Sequence, residues 1–348
     1  MNLKSLAEAL GLSQTTVSRA LNGYPEVSEA TRKRVEEAAV RFGYRPNSRA
    51  KGLATGRAML IGQVIPTSTQ HEMVNPVFGD FVAGASQNLA QHGYDMLLTR
   101  VPGDDEGKVY REFRARGAVD GVIIQAPDVK DDRIALLNRI GLPFIVHGRS
   151  TGVTEPYSWV DVNNTQAFRR ATEFLLQLGH RRIALINGLE RMDFAFRRRK
   201  GYIQALENAG LSADPQLMCT DEMTEQFGYM KTRRMLAFED PPTAFLCASM
   251  ISAVGIRRAL QEAQLVMGRD VSVIIHDDDL SYLRNGEEIP IFTATRSSVR
   301  HAGEVLADAL MQLISDPDHP PINQLLEAQL VVGSSTGPAP LKAARLPS

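Results

Sequence analysis

Leu3-Lys4-Ser5-Leu6-Ala7-Glu8-Ala9-Leu10-Gly11-Leu12-Ser13-Gln14-Thr15-Thr16-Val17-Ser18-Arg19-Ala20-Leu21-Asn22 opens the chain with two short helical patterns broken by a glycine. Leu3, Leu6, Ala7 and Leu10 fall on one helical face, and Gly11 is the residue type that ends a helix in the left-handed conformation. Ser13 stands where it caps a second helix whose apolar positions are Val17, Ala20 and Leu21. Such a pair is a helix-turn-helix, in which the first side chains of the second helix reach base edges in the major groove. Gln14 and Thr15 are therefore the expected base readers, since glutamine pairs bidentately with adenine and threonine offers a hydroxyl or a methyl. Ser13, Thr16, Ser18 and Asn22 are short donors suited to phosphates, and Arg19 fits either role. A third helix is expected from Ser28, through Val35, Ala38, Ala39 and Phe42, to a stop at Gly43.

Charge sets the same segment apart. Residues 1–60 carry ten Lys/Arg against five Glu, while the remainder carries 29 basic and 35 acidic side chains in a chain of net charge −1. A basic head on an acidic body confines the expected polyanionic partner, double-stranded DNA, to the N-terminus. A surface cap with a solvated charged face is the alternative for residues 1–45. It explains neither the confined charge nor the register of short polar donors.

Residues 46–58, beginning Pro46-Asn47-Ser48-Arg49-Ala50-Lys51-Gly52-Leu53, are read as a hinge. Asn47 or Ser48 can cap one short helix there, and a helix this short is marginal without a partner. Ordered on DNA, it would drive Leu53 between minor-groove base steps, with Asn47, Arg49 and Lys51 near the backbone. A flexible basic linker is the other reading.

From Met59 the pattern changes to buried strands alternating with amphipathic helices, which predicts parallel sheets covered on both faces. The expected strands are Leu60–Pro66, Tyr94–Thr99, Gly121–Ile124, Pro143–His147, Arg182–Asn187, Ala244–Cys247, Val271–Ile275 and Leu325–Val332. The alternation restarts near Thr165, so 348 residues divide into a head, a hinge and a body of two similar lobes. The expected bounds are 59–160 with 292–318 for one lobe and 161–291 with 319–333 for the other, followed by a disordered tail over 334–348.

Ligands of open α/β sheets sit beyond the carboxyl ends of strands. That rule nominates His147, Arg149, Asp161, Arg198, Ser249 and Asp277, because paired carboxylates and guanidinium forks suit polyhydroxylated ligands. The run Arg197-Arg198-Arg199-Lys200 equally fits a solvated helix face. No phosphate-cradling loop, dinucleotide fingerprint, nucleophile elbow or zinc-helix motif is found, so an enzyme is not expected. Cys219 and Cys247 are too few for a disulfide scaffold or a thiolate metal site, and neither metal nor cofactor is expected. With no signal-type leader at position 1 and no apolar run of about 18 residues, a cytoplasmic chain without a membrane partner is expected.

The chain resembles the LacI/GalR family of bacterial regulators, to which the lactose and purine repressors belong. The resemblance is carried by Leu12-Ser13-Gln14-Thr15-Thr16-Val17-Ser18-Arg19-Ala20-Leu21-Asn22, Val27-Ser28-Glu29-Ala30-Thr31-Arg32, Gly43-Tyr44-Arg45-Pro46-Asn47 and Leu178-Gly179-His180-Arg181-Arg182-Ile183-Ala184. Arg198-Lys200-Gly201-Tyr202 and Val271-Ser272-Val273, leading to Asp277-Asp278, extend it into the body. It implies a homodimer on an inverted-repeat operator, Leu53 as hinge wedge, a periplasmic-binding-protein-like body, and Arg198 and Asp277 on sugar hydroxyls. Three positions depart from the family's pattern: Ser249-Met250 replaces Asn-Asp, His147-Gly148-Arg149 stands where an aspartate is common, and Ser297 replaces a glutamine. These replacements point to a roomier pocket, with Phe78, Met223 and Met250 as apolar contacts and an oligosaccharide or glucoside as effector. The expected function is a repressor of carbohydrate uptake or catabolism genes. A regulator with a non-sugar co-repressor and a sugar receptor without regulatory role are the alternatives.

Overall fold

The structure, a computed structural model, describes residues 2–21, 23–44, 56–66, 74–101 and 105–341. It separates into two compact units, Met1–Met59 and Leu60–Ser348.

In the head, α1 (Leu3–Leu10) begins at Asn2, whose side chain accepts from the Ser5 amide, and ends at Gly11 with φ +64°. The second helix, α2 (Gln14–Leu21), is capped by Ser13, whose hydroxyl accepts from the Thr16 amide at 3.0 Å. Ser28 caps α3 (Glu29–Arg41) by accepting from Thr31. The three helices close on Leu6, Leu10, Val17, Ala20, Val27 and Val35, all buried. Arg34 ties α3 to the end of α1 by donating to the Leu10 carbonyl at 2.8 Å.

The body contains β1 (Leu60–Pro66), β2 (Asp95–Val101), β3 (Gly121–Gln125), β4 (Phe144–His147), β5 (Trp159–Val162), β6 (Ile183–Asn187), β7 (Met218–Thr220), β8 (Ala244–Cys247), β9 (Ser272–Asp277), β10 (Thr293–Arg296), β11 (Asn323–Leu326) and β12 (Gln329–Val331). They form two six-stranded sheets in the orders β11-β5-β4-β3-β1-β2 and β12-β10-β9-β8-β6-β7. All pairings are parallel except β10 with β12. The central strands carry Val, Ile, Leu and Phe on both faces, as strands covered by helices on both sides must. Helices 76–91 and 299–315 pack almost backbone to backbone, since a Cβ on Gly84 would lie 2.0 Å from the Arg300 carbonyl. Alanine there cannot be accommodated without parting the helices.

Three short strands, β5, β7 and β10, escape the apolar pattern because Asp161, Thr220, Thr293, Thr295 and Arg296 interrupt them, whereas the equally short β4 and β8 are almost wholly apolar. The expected strand Leu325–Val332 is two strands in different lobes, β11 pairing with β5 and β12 with β10. Sheet membership therefore moves the lobe bounds: β5 and β11 belong to the first lobe, and β10 to the second. The expected disordered tail is also corrected over residues 334–341. Ser335 is fully buried, accepts from the Thr293 amide at 2.8 Å, and its carbonyl accepts from Val273; the Gly337 carbonyl meets the buried His180 ring. Ser and Gly there fit a close backbone approach to the second sheet.

Candidate functional site

The helix-turn-helix presents Gln14, Thr15 and Arg19 exposed along α2, while Val17 and Ala20 face the core. Ser13 and Thr16 serve the helix itself, with their hydroxyls 2.8 Å apart across the cap. Ser18 is partly buried. Asn22, Asn47, Arg49 and Leu53 lie outside the described residues.

In the body, the carboxyl ends of β3, β4, β5, β6, β9 and β10 converge on a cleft of about 570 Å³ between the two sheets. Its wall is mainly apolar, with Pro76, Phe78, Met192, Phe194, Met223 and Ile251 among its residues. Gln125, His147, Asn164, Arg198, His276, Asp278 and Ser297 interrupt it with polar groups. A largely apolar wall with a few convergent polar groups is the general form of a small-molecule site.

Arg198 is the best-built of these groups. The 193–208 helix turns Arg197 toward Asp193 and Arg199 toward Glu190, leaving Arg198 alone to point inward, 6% exposed. Its Nε donates to Asn164 Oδ1 at 2.7 Å and its Nη1 to the Ala248 carbonyl at 2.8 Å. Phe168 and Phe194 lie under the guanidinium at 5.2 and 4.9 Å. Burial lowers its pKa to about 10, opposed by Asp278 and Asp161, so the group stays protonated at neutral pH.

The β9 strand supplies the acceptor. Burial would raise the Asp278 carboxyl, but His276, Arg198 and His147 together hold it below the usual carboxylate range. His276 touches Thr295 at 3.1 Å through Nδ1, and its Nε2 lies 3.4 Å from Asp278. Burial and the nearby Arg198 charge lower the His276 pKa. His147 stacks on Phe81 at 4.5 Å, and burial lowers its pKa to about 4. The cleft thus gathers the Arg198 guanidinium, the Asp278 carboxylate, two imidazoles and the Gln125 and Asn164 amides, with Asp221, Glu222, Glu225, Asn75 and Gln226 also in its lining. Donors and acceptors facing one space in this way suit a ligand rich in hydroxyls.

Of the expected effector residues, Phe78, His147, Arg198 and Met223 line this cleft. Five others do not, and each has a structural occupation. Arg149 donates to Asp161 at 2.7 Å behind the wall, and burial outweighs that partner to raise the Asp161 pKa. Ser249 caps the 250–262 helix by accepting from Ile251, and Met250 is buried in the core of the second lobe. Asp277 accepts from Arg296 at 2.9 Å and from the Asp279 amide. Strand alternation explains the last correction: His276 and Asp278 share one face of β9, and Asp277 takes the other. The same period-two rule, applied outward from His276, would have selected Asp278. Gln125 ends β3, and Asn164 and Ser297 come just after β5 and β10, two strands whose polar residues hide them in the sequence.

Among the described residues no helix is long and apolar enough to cross a membrane, and no group of His, Cys, Asp or Glu is placed to hold a metal ion.

Comparison with known proteins covers both units. A family described as bacterial regulatory proteins, lacI family, matches residues 2–47. Another, described as periplasmic binding proteins and sugar binding domain of LacI family, matches residues 59–327. The HTH-type transcriptional regulator AglR of Rhizobium meliloti (strain 1021) is 46% identical over 340 residues, covering 98% of this chain and 95% of that one. The HTH-type transcriptional regulator RafR of Escherichia coli is 34% identical, covering 90% of this chain and 92% of that one. Among solved structures, the CelR–cellobiose complex superposes with a TM-score of 0.70 at 29% identity, covering 96% and 99% of the two chains. The lac repressor dimer bound to operator and the anti-inducer ONPF gives a TM-score of 0.77 at 27% identity, covering 97% and 99%.

Proposed function

This chain belongs to the lacI family of bacterial regulatory proteins and is a transcriptional regulator rather than an enzyme; from that premise we propose that it is a sugar-released repressor. In this reading a homodimer places two heads on an inverted-repeat operator, with Gln14 and Thr15 on base edges and Leu53 as the hinge wedge. An oligosaccharide or glucoside binds in the cleft and lowers operator affinity. The observation that carries the ligand class is that the buried Arg198 guanidinium and the Asp278 carboxylate, close enough to lower the carboxyl's pKa, both line one cleft with a largely apolar wall. Arg198 donates to ring hydroxyls, Asp278 accepts from them, and Phe78 and Met192 cover the apolar face of a sugar. The cellobiose bound to CelR and the sugar-binding description of the matched family support the same class.

A ligand that touches both lobes favours one relation between them, and a coupling of about 1–3 kcal/mol changes operator affinity ~5–150-fold. The test is fluorescence anisotropy of the full-length protein on palindromic duplexes from its own upstream region, with cellobiose, maltose, sucrose and raffinose added in turn. Release by at least one sugar, within that range, is expected. Tighter binding on sugar addition would replace release by co-repression, and indifference to every sugar would sink the effector class.

A further inference from the structure

Charge is distributed unevenly around the cleft. Among the described residues its wall holds four carboxylates, Asp221, Glu222, Glu225 and Asp278, but no lysine and no arginine besides Arg198. The two imidazoles add no second cation at neutral pH, because burial holds His147 at about 4 and pushes His276 down. Arg198 is itself committed: its Nε and Nη1 donate to Asn164 and to the Ala248 carbonyl, and its charge faces Asp278 and Asp161. Glu225 is matched by Arg258, which lies off the wall, at 2.9 and 3.2 Å. Asp221 accepts from the Glu222 amide at 2.8 Å, a neutral donor that fixes the turn and leaves the charge in place.

Helix N-termini are the other device that receives an anion, through their amides and dipole. The 76–91, 164–177, 225–236 and 299–315 helices all begin at this wall. Each is closed from within the chain: Asn75 accepts from the Val77 amide, Asn163 from Gln166, Thr224 from Phe227 and Ser298 from His301. The 193–208 helix, which carries Phe194 and Arg198 into the cleft, has the Asp193 carboxylate in its first turn. An incoming anion would compete with an acceptor already seated at each capped end.

We propose that the cleft selects against anions, so that its effector is an unphosphorylated sugar without a carboxylate, and that Asp221 and Glu222 are residues that reject a sugar phosphate. The proposal rests on the sugar reading of the cleft and narrows it. A phosphate monoester carries about −1.5 to −2 charge at pH 7. In a largely apolar space whose guanidinium is already engaged, that charge loses its water, gains little compensation and is repelled by the neighbouring carboxylates. Uncharged hydroxyls meet no such repulsion.

The experiment is isothermal titration, at neutral pH, of the full-length protein, Asp221→Asn and Glu222→Gln with matched pairs of probes: maltose and maltose 6′-phosphate, cellobiose and cellobiose 6′-phosphate, sucrose and sucrose 6-phosphate. Both variants keep the shape and an accepting oxygen, at an exposed and a half-buried position. In the pair whose neutral member binds, the phosphate is expected to weaken binding about thirtyfold or more in the parent. Each variant is expected to recover about three- to tenfold of that loss, with less than a twofold change for the neutral sugar. Raising salt from ~0.05 to ~0.5 M should narrow the parent's gap by screening. A phosphorylated sugar bound as tightly as its neutral partner would overturn the proposal. So would a gap that neither variants nor salt narrow, since its origin would be steric. Either result leaves the sugar reading intact, whereas binding of no member of any pair would overturn both.

Discussion

Beside Pro127 the two lobes of the body are joined by main chain, whereas beside Asp80 they are held by side chains. At the first seam Asp193 donates its amide to the Pro127 carbonyl at 2.9 Å, and Val129 donates to Arg191 at 2.8 Å. The Asp193 carboxylate then crosses to accept from the Thr151 amide at 2.7 Å and is paired with Arg197. At the second seam every side-chain link runs through one carboxylate: Asp80 accepts from the Ser281 amide and hydroxyl, each at 2.7 Å, and from Arg300 at 2.7 Å, beside a single main-chain bond from the Val299 amide to the Asp278 carbonyl. Main-chain hydrogen bonds survive most substitutions, so the first seam behaves as a fixed edge. The second can be weakened by changing one residue. The lobes are therefore expected to move about the Pro127 edge, with the Asp80 edge tuning how readily they part.

The largest effect that would sharpen this contrast is at Asp193, which is fully buried. Asp193→Ala leaves Arg197 and the Thr151 amide without their partner, and is expected to cost about 3–5 kcal/mol in urea unfolding. Its operator release by effector should stay near that of the parent wherever the protein remains folded. A shifted effector titration at full folding would show that the first seam is not a fixed edge.

Acid should separate the cleft from the second seam. Burial lowers the His147 pKa from 6.5 to about 4, so between those values the unfolded chain binds more protons than the folded one. Stability then falls as pH falls through that window, by up to about 3 kcal/mol from His147. The buried His276 and His180, also shifted downward, act in the same direction. Burial would raise the Asp80 carboxyl, but Ser281 and Arg300 together hold it below its ordinary 3.8. Its contribution is thus intact above that value and lost only on further acidification. Urea midpoints measured from pH 7 to pH 3 should decline in two stages; a flat profile between 6.5 and 4 would remove the imidazoles from the account.

The smallest stability effect and the clearest functional one belong to Asp80→Asn. The amide keeps the shape but cannot accept at both positions, for an expected cost of about 1–3 kcal/mol. The effector concentration for half-release of operator should shift at least threefold, with no residue of the cleft altered. An unchanged titration would make the two seams equivalent.

Much of this molecule was legible one element at a time. The three head helices, their caps at Ser13 and Ser28, and most body strands follow from apolar period and capping chemistry. Arg198 was selected from within a four-residue basic run, and only the helix phase distinguishes it from Arg197 and Arg199, which are paired at the surface side. Asp277, Ser249 and Met250 were misplaced for the converse reason: residue type and position in a family pattern say nothing about which face a strand end presents. A glutamine inside an apolar strand, such as Gln63, acquires meaning only through its neighbour across the sheet, Gln125.

From the amino-acid order alone come the class of regulator, the exposed face of the head's second helix and the two-lobed α/β body, because each depends on local spacing. The membership of β10, β11 and β12, the side of β9 that faces the cleft and the Asp80 seam were decided only in three dimensions. Each joins residues far apart in the chain, and their chemistry comes from the partner that folding brings to them.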